Sequence, residues 1–166
     1  MPITNEIAYI YKLISCMNWI CKKFDELTPH ELYAILQLRN IVFAVEQNCV
    51  YPDLDDKDQS CWHMMGWETN KLIAYTRLVP PGISYPALPA IGRVVTAPTA
   101  RKNGVGKELM KISIAKTRKL FGNLSIKIGA QVYLKKFYES FGFMQTSDIY
   151  DEDGIDHIEM ILSSDL

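Results

Sequence analysis

Arg101-Lys102-Asn103-Gly104-Val105-Gly106 is the stretch of sequence that decides the fold. An apolar run, Ile91-Gly92-Arg93-Val94-Val95, precedes it, and a helical pattern begins near Val105. This order predicts a strand, a glycine-bearing turn and the start of a helix. Glycine lets the backbone approach a ligand closely, and the first N–H groups of a helix have no partners within the helix. These donors and the positive end of the helix dipole attract anions, so the stretch predicts a phosphate site.

The spacing of the glycines excludes two common nucleotide sites. The P-loop string G-x-x-x-x-G-K-[ST] and the dinucleotide fingerprint G-x-G-x-x-G are both absent. What remains is R-x-x-G-x-G at the start of a helix, with positive charge added by Arg101, Lys102 and Lys107. By itself, this string also fits an exposed, capped turn that binds no ligand.

A second segment has the pattern of a strand followed by a helix. Residues 124–129 alternate as a strand does, after the turn pair Gly122-Asn123. A helix is predicted over 132–141, and Gly142 ends it. One face of this helix carries four apolar or aromatic residues, which are Leu134, Phe137, Tyr138 and Phe141.

The remaining elements follow from local signals. Residues 18–23 are a candidate first strand, and Thr28-Pro29-His30-Glu31 predicts a helix start with a capping box. Strands are predicted at 62–67 and 72–78, which form a hairpin, and at 90–96. Two closing strands are predicted at 143–149 and 155–162, with a turn at Asp153-Gly154 between them. No internal repeat or linker interrupts this order.

Together, the two segments resemble a known family. R-x-x-G-x-G resembles the pyrophosphate-binding motif of the GNAT superfamily of acyl-CoA-dependent N-acetyltransferases, and F-Y-E-x-x-G-F at 137–143 resembles the second GNAT motif. Further stretches resemble the ElaA-type branch, at 24–28, 32–39, 42–49, 51–55 and 150–158. The resemblance covers roughly residues 17 to 162, so residues 1–16 are expected to be an N-terminal extension and 17–166 a single GNAT domain.

The resemblance implies an α/β (α+β) fold, with a central mixed, mostly antiparallel twisted sheet that is flanked by helices and splays near its middle. It also implies an enzyme that moves an acetyl group from acetyl-CoA directly to an amine acceptor, without an acyl-enzyme. Two alternatives stay open: a non-catalytic module that holds CoA as a sensor, and an enzyme similar to the acyl-homoserine-lactone synthases, which uses an acylated carrier.

The resemblance also assigns the cofactor residues. The backbone of one strand would pair with the pantetheine arm, and the glycine turn would hold the pyrophosphate. The residues concerned are Val94, Val95 and Thr96 on the strand, Arg101, Lys102, Asn103, Gly104, Val105, Gly106 and Lys107 at the turn, and Gln131 beyond it. Gln131 stands where many members have Asn and Lys102 where Gly is common, so both are departures from the family pattern.

The reaction needs proton transfers, because the amine must lose a proton and the departing thiolate must gain one. Tyr138 matches the tyrosine that often donates a proton to the thiolate, although its helical position also fits a core residue. Glu46 follows the first helix, near the expected acceptor cleft, where it could act as the base or form an ion pair. His63 and His157 lie at strand positions that could line the cleft, and a lone histidine is more often structural.

Composition supports a soluble, cytoplasmic enzyme. The net charge is −1, so no basic surface indicates nucleic-acid binding, and no apolar run approaches the length of a membrane span. The cysteines lack C-x-x-C pairing and metal-like spacing with histidine, so we expect reduced thiols, no metal and a reducing compartment. These cysteines are Cys16, Cys21, Cys49 and Cys61.

The charges are separated along the chain. Acidic residues cluster at 53–58 and 148–156, and basic residues cluster at 101–119 and 127–136. We expect the basic regions to serve the CoA phosphates and the acidic ones to attract a cationic amine. A small molecule or a peptide could supply that amine, and the sequence leaves a homodimer open.

Overall fold

The computed structural model describes residues 17–164. The predicted extension, residues 1–16, lies outside the described residues, so its separation from the domain stays a prediction. No helix of the described part is long and apolar enough to cross a membrane.

The first helix begins where the sequence predicts. After β1 (Asn18–Lys23), α1 (Pro29–Arg39) starts behind a complete capping box. The Glu31 N–H donates to Thr28 Oγ1 over 3.2 Å, and the Thr28 N–H donates to Glu31 Oε2 over 2.8 Å. The chain then continues as a π-helical segment, Asn40–Glu46, which ends at Glu46.

The other elements build one mixed sheet. The strands are β2 (Trp62–Glu68), β3 (Lys71–Val79), β4 (Ala90–Thr96), β5 (Ile126–Gln131), β6 (Met144–Gln145), β7 (Tyr150–Glu152) and β8 (Ile155–Leu162), and the helices are α2 (Val105–Phe121) and α3 (Lys135–Glu139). The strand order is β1-β2-β3-β4-β5-β8-β6, and β7 also pairs with β8. Only β4 and β5 run parallel, so the expected mixed, mostly antiparallel sheet is confirmed.

Helices cover both faces of this sheet. Successive residues of a strand point to opposite faces, and β2 shows this clearly. Met65 packs in a core cluster with Ile35 of α1, whereas Met64 packs in a cluster with Leu109 of α2. A further cluster joins α2 and α3 to β5 and β8, and Tyr138 belongs to it.

Three predicted boundaries move in the structure. β5 lies at 126–131 rather than 124–129, because its pairing with β8 runs from Ile126 opposite Leu162 to Gln131 opposite His157. The helix predicted over 132–141 is a 3₁₀ turn, Val132–Leu134, followed by the short α3. The strand predicted over 143–149 is reduced to the two residues of β6. The strand predicted at 155–162 matches β8, and Asp153 and Gly154 form its turn at φ 55° and 81°.

The sheet splits at its centre. β4 and β5 pair only at Ala90 and Lys127, near the start of both strands, and then separate. Beyond that point, the edge of β4 that faces β5 has no strand partner. The split positions the candidate site, because it opens a cleft between two halves of the sheet that are otherwise well paired.

Candidate active site

A cavity of about 760 Å³ fills the cleft between the separated strands. It extends from the turn before α2 to the hairpin of β7 and β8. Its walls include Gly92 to Thr96 of β4, Ile128, Gly129 and Gln131 of β5, Phe43, Glu46 and Gln47 after α1, Phe137 and Tyr138 of α3, and Tyr150, Glu152 and His157 of the hairpin. Residues of the loops before β2 and before β4 complete the lining. Elements that are distant in sequence therefore meet at one concave surface, as ligand sites commonly require.

The β4 wall contains the strand residues that the sequence predicts for the cofactor. Val94, Val95 and Thr96 all line the cavity. The backbone N–H and C=O groups of a strand point alternately toward its two neighbouring strands. Beyond Ala90, β4 has no neighbouring strand on the β5 side. This edge can therefore bind an extended ligand as an added strand would bind.

A bulge interrupts the same strand. The register with β3 skips between Tyr75 and Arg77, and Arg93 has a φ of 49°, which is uncommon for a residue other than glycine. The side chain of Arg93 is held firmly, with Nε 2.7 Å from Asp53 Oδ1 and the guanidinium 5.8 Å from the centre of the Tyr51 ring. We interpret these contacts as the interactions that stabilise the unusual backbone.

The first acidic cluster is used inside the protein, which differs from our expectation that it attracts a substrate. Asp58 lies between two buried arginines, with Oδ2 2.8 Å from Arg39 Nη1 and Oδ1 2.8 Å from Arg77 Nη1. Arg77 also binds both oxygens of Asp55, over 2.6 and 2.8 Å. Arg39, Arg77 and Arg93 thus neutralise three aspartates, and the sequence alone does not reveal this pairing.

The electrostatics of this network are strongly coupled. Burial alone would raise the pKa of Asp58, but Arg39 and Arg77 outweigh burial and hold that pKa below its ordinary value. Burial opposes ionisation of Asp55 in the same way, and its hydrogen bonds to Arg77 again win and lower the pKa. Both carboxylates are therefore charged at neutral pH and anchor the loop that covers one side of the cavity.

Arg101 and Gly106 of the glycine turn line the cavity, and the turn as a whole precedes α2. Gly104 is the N-cap of α2, with a φ of 80° and no side-chain cap. The first helical bond, from the Glu108 N–H to the Gly104 carbonyl, leaves the N–H groups of Val105, Gly106 and Lys107 without helical acceptors. A Cβ at Gly104 would have no protein atom within 4 Å, so the space beside the turn is open. This geometry suits an anion, as the sequence predicts.

Arg101 points across the cleft. Its guanidinium donates two hydrogen bonds to the Glu46 carboxylate, over 2.5 and 2.9 Å, and a third to the Thr96 carbonyl over 3.3 Å. The predicted base Glu46 thus lines the cavity but is paired with the predicted phosphate ligand. Gln131 similarly pairs its side-chain amide with that of Gln47, over 3.2 and 3.3 Å.

Tyr138 lines the cavity from α3 and is 5% exposed. Its ring packs edge-on against Phe137 and Phe143, and its hydroxyl has no hydrogen-bond partner among residues 17–164. Burial raises the pKa of Tyr138 well above its ordinary value, so the phenol keeps its proton. A protonated hydroxyl with no acceptor, at the surface of the cavity, can donate to a bound group.

His63 does not reach the cavity. It is 1% exposed, with Nδ1 2.8 Å from the Tyr75 hydroxyl and Nε2 3.0 Å from the Asp58 carbonyl. A carbonyl only accepts, so Nε2 carries the proton and Nδ1 accepts from Tyr75. Burial lowers the pKa of His63, which keeps the ring neutral. Both nitrogens serve the core, and we therefore remove His63 from the proposed catalytic set.

Family comparison agrees with this geometry. The family model described as Acetyltransferase (GNAT) domain matches residues 38–164. The chain belongs to the GNAT acetyltransferase family. The matched region of this GNAT domain contains the β4 wall, the glycine turn, α3 and the hairpin of β7 and β8.

The relatives support the ElaA-type resemblance. Protein ElaA of Escherichia coli is 38% identical over 146 residues, which covers 87% of this chain and 95% of ElaA. Its crystal structure superposes on this GNAT domain with a TM-score of 0.81. An acyl-CoA N-acyltransferase from Pseudomonas aeruginosa gives a TM-score of 0.84 at 38% identity, covering 88% of this chain and 99% of that one. A Bacillus subtilis acetyltransferase solved in complex with CoA shares the fold alone, with a TM-score of 0.64 at 20% identity.

Among residues 17–164, no group of three or more histidine, cysteine or acidic side chains could hold a metal ion.

Proposed function

We propose that this chain transfers the acetyl group of acetyl-CoA to an amine acceptor by direct attack, as the family resemblance implies. The observation that carries the proposal is the cleft itself. The free edge of β4, the uncapped start of α2 and the buried hydroxyl of Tyr138 all line or adjoin one cavity. Because these three features suit a pantetheine arm, a pyrophosphate and a leaving thiolate in turn, they support acetyl-CoA as the donor.

The donor would extend from the glycine turn along β4. The N–H groups of Val105, Gly106 and Lys107 would bind the pyrophosphate, and the edge of β4 at Val94 to Thr96 would pair with the pantetheine arm. The Bacillus subtilis protein that shares the fold was solved in complex with CoA, which supports CoA as the carrier of the acetyl group. Arg101 would keep its ion pair with Glu46 and add positive charge beside the pyrophosphate.

The chain's own groups would then manage the protons. The amine nitrogen attacks the thioester carbon, the carbon–sulfur bond breaks, and Tyr138 donates its proton to the sulfur. The proton that leaves the nitrogen restores the phenol, through water where the two are not in contact. Catalysis otherwise rests on holding both substrates in one cleft, since proximity alone can supply a large part of the barrier reduction.

The compartment is also part of the proposal. Cys21, Cys49 and Cys61 are free thiols in the structure, and two of them are buried. Burial raises the pKa of the Cys21 and Cys61 thiols to about 11, so neither is a ready nucleophile. Both observations fit a cytoplasmic enzyme in which neither Cys21 nor Cys61 carries the acetyl group.

The direct test is a measurement of thiol release from acetyl-CoA with a panel of amines, with the acetylated product identified by mass. We expect release to depend on the amine and to yield one acetylamide per thiol. The sensor alternative predicts acetyl-CoA binding without release for every amine. Acetyl transfer to a cysteine of the chain in the absence of amine would overturn direct transfer.

A further inference from the structure

One wall of the cavity has no assigned role in donor binding. It is formed by the loop before β4 and the hairpin of β7 and β8, and we call it the acceptor wall. Its residues are Tyr85, Tyr150, Glu152, Asp153 and His157, all of which line the cavity. The wall combines aromatic rings, carboxylates and an imidazole at one surface.

The tertiary structure holds this wall in place. The Tyr150 ring stacks on His157 at 6.0 Å between centroids, as expected for residues that face each other across β7 and β8. The Tyr150 hydroxyl lies 3.2 Å from the position of a Cβ on Gly129, so the ring reaches over β5 at a place that only glycine leaves open. On the other side, the Lys127 ammonium lies 4.5 Å from the centre of the Tyr85 ring and forms an ion pair with Glu159 over 2.8 Å.

The charge of the wall is negative. Most charged groups of the cavity are already paired, such as Asp55 with Arg77 and Glu46 with Arg101. Glu152 and Asp153 form no ion pair with a residue in the described range. Burial, and then the nearby charge of Glu152, raises the pKa of Tyr150 to about 12, so the phenol beside this carboxylate stays neutral. Neutral aromatic rings next to unpaired carboxylates are a surface that attracts cations.

His157 has the geometry of a base. Its Nδ1 lies 2.8 Å from the Ile155 carbonyl, which can only accept, so Nδ1 carries the proton of the neutral ring. Nε2 then presents a lone pair, and no described residue donates to it. A backbone contact that fixes the tautomer in this way is a common arrangement for a histidine that accepts protons.

The groups around His157 are consistent with this role. Tyr150 and Glu152 approach it from β7, the uncharged Gln131 lies opposite it on β5, and Asp153 lies in the connecting turn. Asp156, its chain neighbour, points to the other face of β8. The nearest carboxylates thus favour an approaching cation, and the nearby Lys127 is committed to Glu159.

A second observation points to the same cavity. Tyr138 places a buried hydroxyl without a partner at its surface, and Tyr138 and His157 line the cavity from different elements. The departing thiolate needs a proton donor and the attacking amine needs a proton acceptor. Tyr138 and His157 are suited to these two roles. His157 is also better suited than Glu46 to act as the base, because both oxygens of Glu46 accept from Arg101.

We infer that the acceptor is an amine that carries a second positive charge. The acceptor wall binds this second charge between Tyr85, Tyr150 and Glu152, and Nε2 of His157 takes the proton from the reacting ammonium. This inference rests on the proposed function and identifies the acceptor class and the base. The ammonium loses one proton to His157, which passes it to solvent, and the neutral amine attacks the thioester. The second nitrogen proton replaces the one that Tyr138 gives to sulfur, so the products are the acetylamide, CoA thiol and one released proton.

Three amines of equal chain length test the acceptor class by thiol release: diaminobutane, aminobutanol and aminobutanoate. Their far ends are positive, neutral and negative. We expect kcat/KM to fall in that order, by about fivefold at the first step, which corresponds to the roughly 1 kcal/mol that an exposed charge pair contributes. Glu152→Gln should reduce the preference for diaminobutane over aminobutanol and leave the acetyl-CoA affinity unchanged. Equal rates with diaminobutane and aminobutanol, a preference for aminobutanoate, or no release with any of the three would overturn the inference.

The role of His157 is tested by the pH profile of kcat. His157→Asn keeps an N–H near Nδ1 for the Ile155 carbonyl but removes the lone pair of Nε2. We expect kcat to fall about a hundredfold or more and its acidic limb to disappear, with acetyl-CoA affinity and melting temperature near wild type. If His157→Asn keeps the limb and Glu46→Gln loses it, the base is Glu46 and the assignment is wrong. Failure of acetyl-CoA to bind the wild-type chain would instead refute the proposed function, so the two failures can be distinguished.

Discussion

Replacing Tyr138 with phenylalanine separates the chemistry of this residue from its packing. The substitution removes one oxygen that has no hydrogen-bond partner in the described structure, and it keeps the ring that packs against Phe137 and Phe143. Since no hydrogen bond is lost, the free energy of unfolding should change by no more than about 0.5 kcal/mol. Loss of a general acid should lower kcat by about a hundredfold to ten-thousandfold, which is about 3–5 kcal/mol on the barrier.

Tyr75→Phe is the matched control. Tyr75 is fully buried, and its hydroxyl donates to Nδ1 of His63 over 2.8 Å. Removing that hydroxyl leaves a buried acceptor unpaired, at a cost of about 1–3 kcal/mol in stability, without touching the cavity. We therefore expect Tyr138→Phe to lose turnover and keep stability, and Tyr75→Phe to show the reverse.

The assays are urea unfolding for stability and thiol release from acetyl-CoA for turnover, with an amine that the panel identifies. Acetyl-CoA affinity is measured in parallel and should stay near wild type in both variants. Near-normal turnover in Tyr138→Phe would refute the reasoning, because a water would then protonate the thiolate. Loss of stability and turnover together would show that the hydroxyl has a structural role.

Two further predictions concern the buried network and the chain start. Asp58→Asn should lower the free energy of unfolding by about 3 kcal/mol, because Arg39 and Arg77 keep their charges inside the protein, whereas the exposed Asp56→Asn should change it little. The pKa values of Asp55 and Asp58 are lowered in the folded chain, so the two carboxylates stabilise the fold above the ordinary aspartate pKa of about 4, and this contribution should be lost as the pH falls below it. Urea titrations across this range measure the change in the free energy of unfolding. Equal stability at neutral and acid pH would contradict the prediction. A chain that starts at Met17 should melt within a few degrees of the full chain and bind acetyl-CoA equally well, and a large loss of melting temperature would show that residues 1–16 belong to the domain.

Local signals in the sequence predict much of the fold because they act over short distances. The capping box at Thr28 and Glu31, the turn at Asp153-Gly154 and the glycine at the start of α2 each depend on a few neighbouring residues. The boundaries of β5 and β6 were less accurate, since pairing with β8 sets them and that pairing spans distant parts of the chain.

The candidate site shows the same contrast between features that local sequence predicts and features that depend on distant residues. The glycine turn and the β4 residues form part of a contiguous pattern, and Val94, Val95, Thr96, Arg101 and Gly106 of that pattern line one cavity. The ion pairs of Asp53, Asp55 and Asp58 link residues far apart in sequence, so a run of aspartates appeared to be a substrate-attracting surface when it is an internal network. Both the burial of His63 and the exposure of His157 to the cavity depend on the register of strands, which composition does not encode.

The most direct test of the central claim is the affinity of acetyl-CoA for the wild-type chain and two glycine variants, measured by titration calorimetry. Gly104→Val and Gly122→Val introduce the same side chain at the two ends of α2, at φ values of 80° and 86°. Gly122 also has a ψ of 175°, a conformation that essentially only glycine adopts, so Gly122→Val should have the larger cost in folding stability. Only Gly104 adjoins the proposed pyrophosphate site. The loss of one charge-assisted hydrogen bond, about 1.5–3 kcal/mol, should weaken acetyl-CoA binding roughly tenfold to a hundredfold in Gly104→Val. Gly122→Val should keep the wild-type affinity, and equal affinities in all three proteins would contradict the assignment of this cleft to acetyl-CoA.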